Sequence, residues 1–361
     1  MDITRADRLL RLRKKRRKNL EGNSFLNPQN MKIIVDAMGG DKAPEVVVSG
    51  AVSAAREYRV NIELVGILEQ IKPLLDKYKT PKDYISVYPA SEVVGMSEPP
   101  ALSIRRKKNS SICVGLNLVK EGKGDAFFSA GNTGAVVCAS TLTLGMLHGA
   151  ERPGIAIIVP TLKGISLIID VGANIDPKPL HLLQYGLMAD AYLCNILRKF
   201  HPTVGLLSIG EEPSKGTDFV KDTHHLLSES RLNFIGNVEG KDLFSGKCDI
   251  IICDGFVGNV ALKVSESLAE TVYIFFKRHL KGSILGAIGA AFLSASMARL
   301  KKQIDYSEHG GAVLLGVSGV VIIGHGRSDA LAVKNAIRRA KEEIENKVNE
   351  RIVEAISKIG G

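Results

Sequence analysis

From residue 31 onward the chain repeats one pattern: a short apolar run, a loop rich in Gly and Asp or Asn, then a longer helix-like run. MKIIVD (31–36) gives way to AMGGDKAP and then EVVVSGAVSAAREY, with Pro44 placed for a first helical turn. DAFFS (125–129) leads through SAGNTG to VVCASTLTLGML, and GISLIID (164–170) through VGANIDPKP to HLLQYGLMADAYLCNILRKF. TVGLLSIG (203–210), CDIIIC (248–253) and GVVIIGHG open three more such units. Six strand–loop–helix units predict a mostly parallel sheet with helices on both faces, a three-layer α/β/α arrangement. The strands are continuous apolar runs, as sheets covered on both faces require. In such sheets the loops after the carboxyl ends gather on one edge, where ligands bind. That edge is expected to carry Asp36, Asp41, Asn132, Thr133, Asp170, Asn174, Glu211, Lys215, Asp254 and Asn259.

Composition places the 361-residue chain among globular proteins with a sizeable core, at 45% hydrophobic and 24% charged residues. Its five cysteines are scattered without a CxxC pair, which speaks against zinc and redox motifs. Residues 1–30 hold nine Lys/Arg and three acids, and so more than half of the net charge of +10. That extension lacks the apolar core of a secretory signal. It reads as a basic solvated arm ahead of one α/β/α domain over 31–361, with Met31 as an alternative start; contact with nucleic acid or anionic lipid is the rival reading.

SAGNTGA offers consecutive backbone N–H groups with small side chains at a helix N-terminus, which favours an anion. A tight turn that needs Gly for its backbone explains the same residues. Asn132, Asn259 and Asn174 are equally good helix caps or loop residues. Lys215, in GEEPSKG (210–216), either neutralises a phosphate or oxyanion or pairs with a nearby Glu. P-loop, dinucleotide-binding, nucleophile-elbow and HExxH spacings do not occur.

Between Ser283 and Ala298 the chain carries no charge, and Lys277, Arg278, Lys281, Arg299, Lys301 and Lys302 flank this run. Sixteen residues fall short of the roughly 20 that a spanning helix needs. A helical hairpin over about 263–303 is expected. Its tip (Ile284, Leu285, Ile288, Phe292, Leu293) and its cations Arg299, Lys301 and Lys302 either meet an anionic membrane or a carrier protein, or pack in a dimer.

DAMGGDKAP, SAGNTGA, DVGAN (170–174), GEE followed by KG, CDGFVGNVALK (253–263) and YSEHGGAVLLGVSGVVIIGHG (306–326), in this order, resemble the fatty acyl-ACP:phosphate acyltransferase family (PlsX type) across residues 31–361. Ser208, Gly154 and His309 depart from the residues usual there. The resemblance implies an isocitrate dehydrogenase-like fold and transfer of an acyl group from acyl-ACP to inorganic phosphate, without cofactor or metal. It implies a homodimer in the cytoplasm, peripheral to the inner face of the membrane and feeding a membrane glycerol-3-phosphate acyltransferase, with no nucleic-acid partner. For that reaction Lys215, Asp254 and Asn259 are the expected catalytic residues, Lys215 neutralising phosphate or oxyanion, Asp254 orienting Lys215 or a phosphate proton and Asn259 positioning phosphate. Asp36, Gly39, Gly40, Asp41, Ser129, Gly131, Asn132, Thr133, Gly134, Asp170 and Asn174 are expected to hold phosphate or substrate. Arg105, Arg106, Lys107 and Lys108 are a second candidate for docking the acidic carrier. A metal- and nicotinamide-dependent dehydrogenase on the same sheet, a non-enzymatic scaffold and an RNA binder are the rival classes.

Overall fold

A computed structural model describes residues 31–81, 83–281 and 310–360. The basic extension lies outside the described residues. So do Ile284, Leu285, Ile288, Phe292, Leu293, Arg299, Lys301, Lys302 and His309.

The first half comprises β1 (Lys32–Asp36), α1 (Glu45–Tyr58), β2 (Asn61–Gly66), α2 (Leu68–Lys77), β3 (Ile85–Pro89), α3 (Pro100–Arg106), α4 (Ser111–Lys120), β4 (Ala126–Ser129) and α5 (Thr133–Leu144). A hairpin, β5 (Gly154–Thr161) and β6 (Gly164–Ile169), follows. Then come α6 (Pro179–Ile196), β7 (Thr203–Leu207), α7 (Asp218–Ser228), β8 (Asn233–Val238), β9 (Ile250–Ile252) and the long α8 (Gly255–Lys281). The chain closes with β10 (Ala312–Leu315), β11 (Val320–Ile323), α9 (Ala330–Glu345) and α10 (Val348–Ile356).

Short polar side chains start several of these helices by accepting a backbone N–H of the first turn: Ser110 for α4, Asn132 for α5, Thr217 for α7 and Asp329 for α9. The strands form one sheet in the order β3-β2-β1-β4-β11-β10-β5-β6-β9-β7-β8. Neighbouring strand residues face opposite layers. Ile33, Val35 and Phe128 pack with α1, α6, α9 and α10, while Ile34 and Phe127 pack with α3, α4 and α5. Phe127 and Phe128 are both fully buried, worth about 2–3 kcal/mol each.

The sheet corrects the expectation of a single loop-bearing edge. β10 is antiparallel to β11 and to β5, and β5 is antiparallel to β6. The parallel blocks β3-β2-β1-β4-β11 and β6-β9-β7-β8 therefore run in opposite directions. The loops after β1, β4 and β11 form one group, and those after β6, β9 and β7 form another at the other end of the ladder.

Candidate active site

In the first group two tight turns lie face to face. Asp36 ends β1 and is buried; its Oδ2 accepts from the Ser129 hydroxyl at 2.6 Å and its Oδ1 from the Met38 amide at 3.0 Å. Burial pushes the Asp36 carboxyl above its ordinary range, against hydrogen bonds from Ser111, Ser129 and the Met38 and Gly39 amides. Ser129 Oγ accepts in turn from the Gly131 amide at 3.0 Å. A Cβ on Gly39 would stand 2.6 Å from that same amide nitrogen, so Gly39 is there for close approach. Gly40 is at φ +108°, and the exposed Asp41 donates its amide to the Gly326 carbonyl at 2.8 Å, which joins the β1 and β11 loops.

Asn132 is committed inside the protein. Its Oδ1 caps α5 through the Ala135 amide (3.0 Å), and its Nδ2 donates to the carbonyls of Met96 and Glu98, both at 3.0 Å, and of Gly95 at 3.3 Å. These bonds strap residues 95–98 over the turn. Glu98 is fixed in turn by Lys107 and the Ser103 hydroxyl, and these with the Gly95 amide hold its carboxyl down to about 2. Lys107 is thus spent on the strap, while Arg105, Arg106 and Lys108 are exposed. Gly134 packs where a Cβ would meet Pro100 at 2.7 Å. The Thr133 and Gly134 amides, first in α5, have no protein acceptor among the described residues, and the Thr133 side chain is exposed.

The second group centres on buried Asp170. Its Oδ1 accepts from the Ile155, Gly172 and Ala173 amides at 2.9–3.0 Å, and its Oδ2 from Ala173 and Asn174 at 3.1 and 2.7 Å. Burial raises its carboxyl, with those amides pulling the other way. Asp170 therefore builds the loop, with Gly172 at φ +136°. The Asn174 carbonyl accepts from the Gly255 amide at 2.9 Å, and its Nδ2 lies 3.5 Å from the Tyr185 hydroxyl. Asp254 caps α8, its Oδ1 taking the Phe256 and Val257 amides at 2.9 and 2.8 Å. Exposed Asn259 lies against Gly172, whose Cβ would be 3.7 Å from its Cβ and Cγ.

Lys215 is exposed, its stem crossing Gly210, and among the described residues no carboxylate pairs with it. The loop's acid Glu211 is engaged by Lys247 at 2.9 Å and Lys241 at 3.5 Å. Asn237 anchors the loop by donating to the Glu212 carbonyl at 3.0 Å.

Helix α8 joins the two groups. Asn259 and Lys263 are one turn apart on one face. Asn259 touches the β6 loop, while Lys263 Nζ lies 3.4 Å from His325 Nε2 in the β11 loop. Glu266 pairs with Lys263 at 3.0 Å and with His325 at 3.8 Å. Burial and the Lys263 ammonium hold the His325 imidazole below its ordinary pKa. Lys263 and His325 lie inside sequence motifs with no local pattern that sets them apart; their signal is contact across the fold. The three buried or capping aspartates, Asp36, Asp170 and Asp254, serve backbone amides at separate strand ends. No helix among the described residues is long and apolar enough to cross a membrane.

Residues 31–351 match the family model described as "Fatty acid synthesis protein". The chain is 46% identical over 334 residues to a phosphate acyltransferase of Halothermothrix orenii, covering 91% of this chain and 100% of that one. It is 47% identical over 327 residues to one of Thermodesulfovibrio yellowstonii, covering 91% and 94%. The fold is similar to a phosphotransacetylase from Streptococcus pyogenes (TM-score 0.61, 18% identity, 88% and 94% covered) and to the EutD phosphotransacetylase from Staphylococcus aureus (TM-score 0.58, 16% identity, 88% and 96% covered). With a family model spanning most of its length and relatives this near, the chain belongs to the fatty acid synthesis protein family and is an acyltransferase.

Proposed function

We propose that the chain transfers a fatty acyl group from an acyl-ACP thioester to inorganic phosphate and releases an acyl phosphate for phospholipid synthesis. The relatives' name, phosphate acyltransferase, supports phosphate as acceptor. The observation that carries the site assignment is Lys215, a cation without an acidic partner among the described residues, in the loop after β7, the strand paired with β9, after which Asp254 caps α8.

A phosphate oxygen attacks the thioester carbonyl carbon, and charge develops on the carbonyl oxygen. The tetrahedral species collapses, the C–S bond breaks, and the thiolate leaves and takes a proton. A thiol of pKa about 8.5 leaves without strong acid assistance. The protein's task is then to hold a dianion against the carbonyl and stabilise the oxyanion. Lys215 neutralises phosphate or oxyanion. Asn259 and Thr133 supply polar contacts, with the first amides of α5 as further donors. Asn132, Asp36 and Asp170 act by fixing the turns, and Asp254 by fixing α8, its Oδ2 free to orient Lys215 or a phosphate proton. Lys263 and His325 link the two loop groups into one cleft wall.

The same reading makes the chain a homodimer that touches anionic membrane through 263–303 and supplies a membrane glycerol-3-phosphate acyltransferase. The row Val257, Val260, Val264, Leu268, Val272 and Phe275 along α8, each 41–61% exposed and opposite the Asn259–Lys263 face, supports the dimer.

The test is phosphate-dependent release of free ACP from palmitoyl-ACP, with hydroxylamine trapping the acyl phosphate. Lys215→Ala is expected to lower kcat roughly 100- to 1000-fold, the usual cost of losing one preorganised charge-stabilising group. Near-normal turnover by a folded Lys215→Ala protein would remove Lys215 from the mechanism. Release that ignores phosphate would make the chain a thioesterase.

A further inference from the structure

Beside the polar residues of the second loop group stand three large apolar side chains that the fold leaves in solvent. Ile209 is 84% exposed, Ile175 72% and Phe256 63%. They follow the carboxyl ends of β7, β6 and β9, which are neighbours in the sheet, with β9 in the middle. Each adjoins a residue of the proposed site. Ile175 follows Asn174, whose carbonyl accepts from the Gly255 amide, and Phe256 follows Gly255. Ile209 precedes Gly210, over which the Lys215 stem passes. Phe256 and Asn259 are three residues apart in α8 and share its face. Loop residues at a strand end are ordinarily polar, and single exposed apolar side chains need no account. Leu162 and Phe200 are such singles, at the amino ends of β6 and β7. Three together at the edge of a polar site call for an occupant that is polar at one end and apolar along its length.

We infer that Ile175, Phe256 and Ile209 form the track on which the fatty acyl chain of the donor lies, its carbonyl at Lys215 and its tail running outward over these side chains. The inference rests on the acyl-transfer reading above and adds the specificity element to it. An acyltransferase of this family must accept a long apolar chain, and the reacting carbonyl must reach the polar groups while the tail leaves water. Each methylene laid on such a surface adds to binding, so a track, rather than one contact, sets the preference for length.

The experiment uses the full chain and two non-reacting thioethers, S-hexadecyl-pantetheine and S-butyl-pantetheine, titrated by calorimetry, beside kinetics with hexadecanoyl and butyryl thioesters. Phe256→Ala and the double change Ile175→Ser with Ile209→Ser alter exposed side chains, so folding is expected to hold. Both variants should weaken hexadecyl binding and raise the hexadecanoyl KM about tenfold, an effect expected of losing several methylene contacts. Butyl binding, the KM for phosphate and kcat with the short donor should stay within twofold. Unchanged preference for the long probe in both variants overturns the track and leaves the proposed reaction standing. Loss of hexadecyl binding in a protein that transfers nothing to phosphate supports the track and removes the reaction. A fall in molar mass by light scattering in either variant assigns the three residues to a subunit interface and overturns the track.

Discussion

Asn132 spends its side-chain oxygen on the Ala135 amide and its side-chain nitrogen on three carbonyls of residues 95–98. In the sequence it is one residue of a Gly-rich turn, and the choice between a phosphate ligand and a helix cap is open there. The partners that decide are 34 to 37 residues away, and no local pattern points to them. Asp170 is similar: it reads as a candidate ligand at a strand end, and the fold surrounds it with backbone amides. A comparison of two substitutions separates structure from ligation at position 132. Asn132→Ala removes the cap, worth about 1 kcal/mol, and the strap bonds with it. Asn132→Asp keeps the capping oxygen and sets a second oxygen against three carbonyls. The aspartate variant should therefore unfold at lower urea than the alanine variant, with losses of roughly 2–4 kcal/mol. An unfolding midpoint left unmoved in both, together with a raised KM for phosphate, would instead make Asn132 a direct phosphate ligand.

At the scale of elements, local signals were strong where a strand passes to a helix. α1 spans Glu45–Tyr58, the run read from the sequence, and the strands at 32–36, 126–129 and 250–252 fall inside the apolar runs. Outside the six units lie β2, β3 and β8, which widen the parallel blocks, and β5, whose GIAIIVPT run joins β6 through a two-residue turn instead of a helix. β10 is likewise a short apolar run with no loop chemistry behind it. Their antiparallel pairing reverses the second block, and strand direction depends on partners distant in sequence. The single edge expected for all six loops failed on that point. The two loop groups are joined instead by α8, whose Asn259 lies against Gly172 and whose Lys263 lies 3.4 Å from His325.

That role depends on how closely α8 docks. A Cβ at Gly258 would fall well inside contact distance of the Asp170 carbonyl oxygen and 2.8 Å from Cys253 Sγ. Both atoms sit on buried strand ends, so the helix must give way. Gly258→Ala should cost about 2–3 kcal/mol by urea unfolding and should lower turnover by moving Asn259 off Gly172. Gly240→Ala is the control, since nothing lies within 4 Å of its added methyl, and it should be neutral. Equal midpoints and equal turnover for the two variants would mean that α8 is not held at Gly258.

Across the whole molecule, the two blocks are tied on one face by one helix from each block. α6 follows the second block's β6, while α9 follows β11 of the first, and both pack on the same apolar layer. Between them lies a buried polar pair: the Tyr192 hydroxyl donates to Glu343 Oε1 at 3.3 Å, with Arg339 also buried nearby on α9. Burial pushes the Glu343 carboxyl up to about 8, against the pull of Arg339 and the Tyr192 hydroxyl. An acid raised in the folded state holds a proton that the unfolded chain has lost. Its contribution is therefore full below the ordinary carboxylate range near 4.5 and disappears as pH climbs toward about 8. Stability of the native chain should accordingly fall between pH 5 and pH 8, by up to about 4 kcal/mol from this group, since one pKa unit corresponds to about 1.4 kcal/mol. Buried Asp36 and Asp170 are displaced upward as well and add a slope of the same sign. Glu343→Gln isolates the one group, because the amide keeps an oxygen for the Tyr192 hydroxyl and does not titrate. The difference in unfolding free energy, native minus Glu343→Gln, should drop steadily as pH rises from 5 to 8 in urea titrations. A difference that stays flat would mean that Glu343 is ionised throughout and paired with Arg339, so that the tie between the blocks is a buried ion pair and not a neutral hydrogen bond.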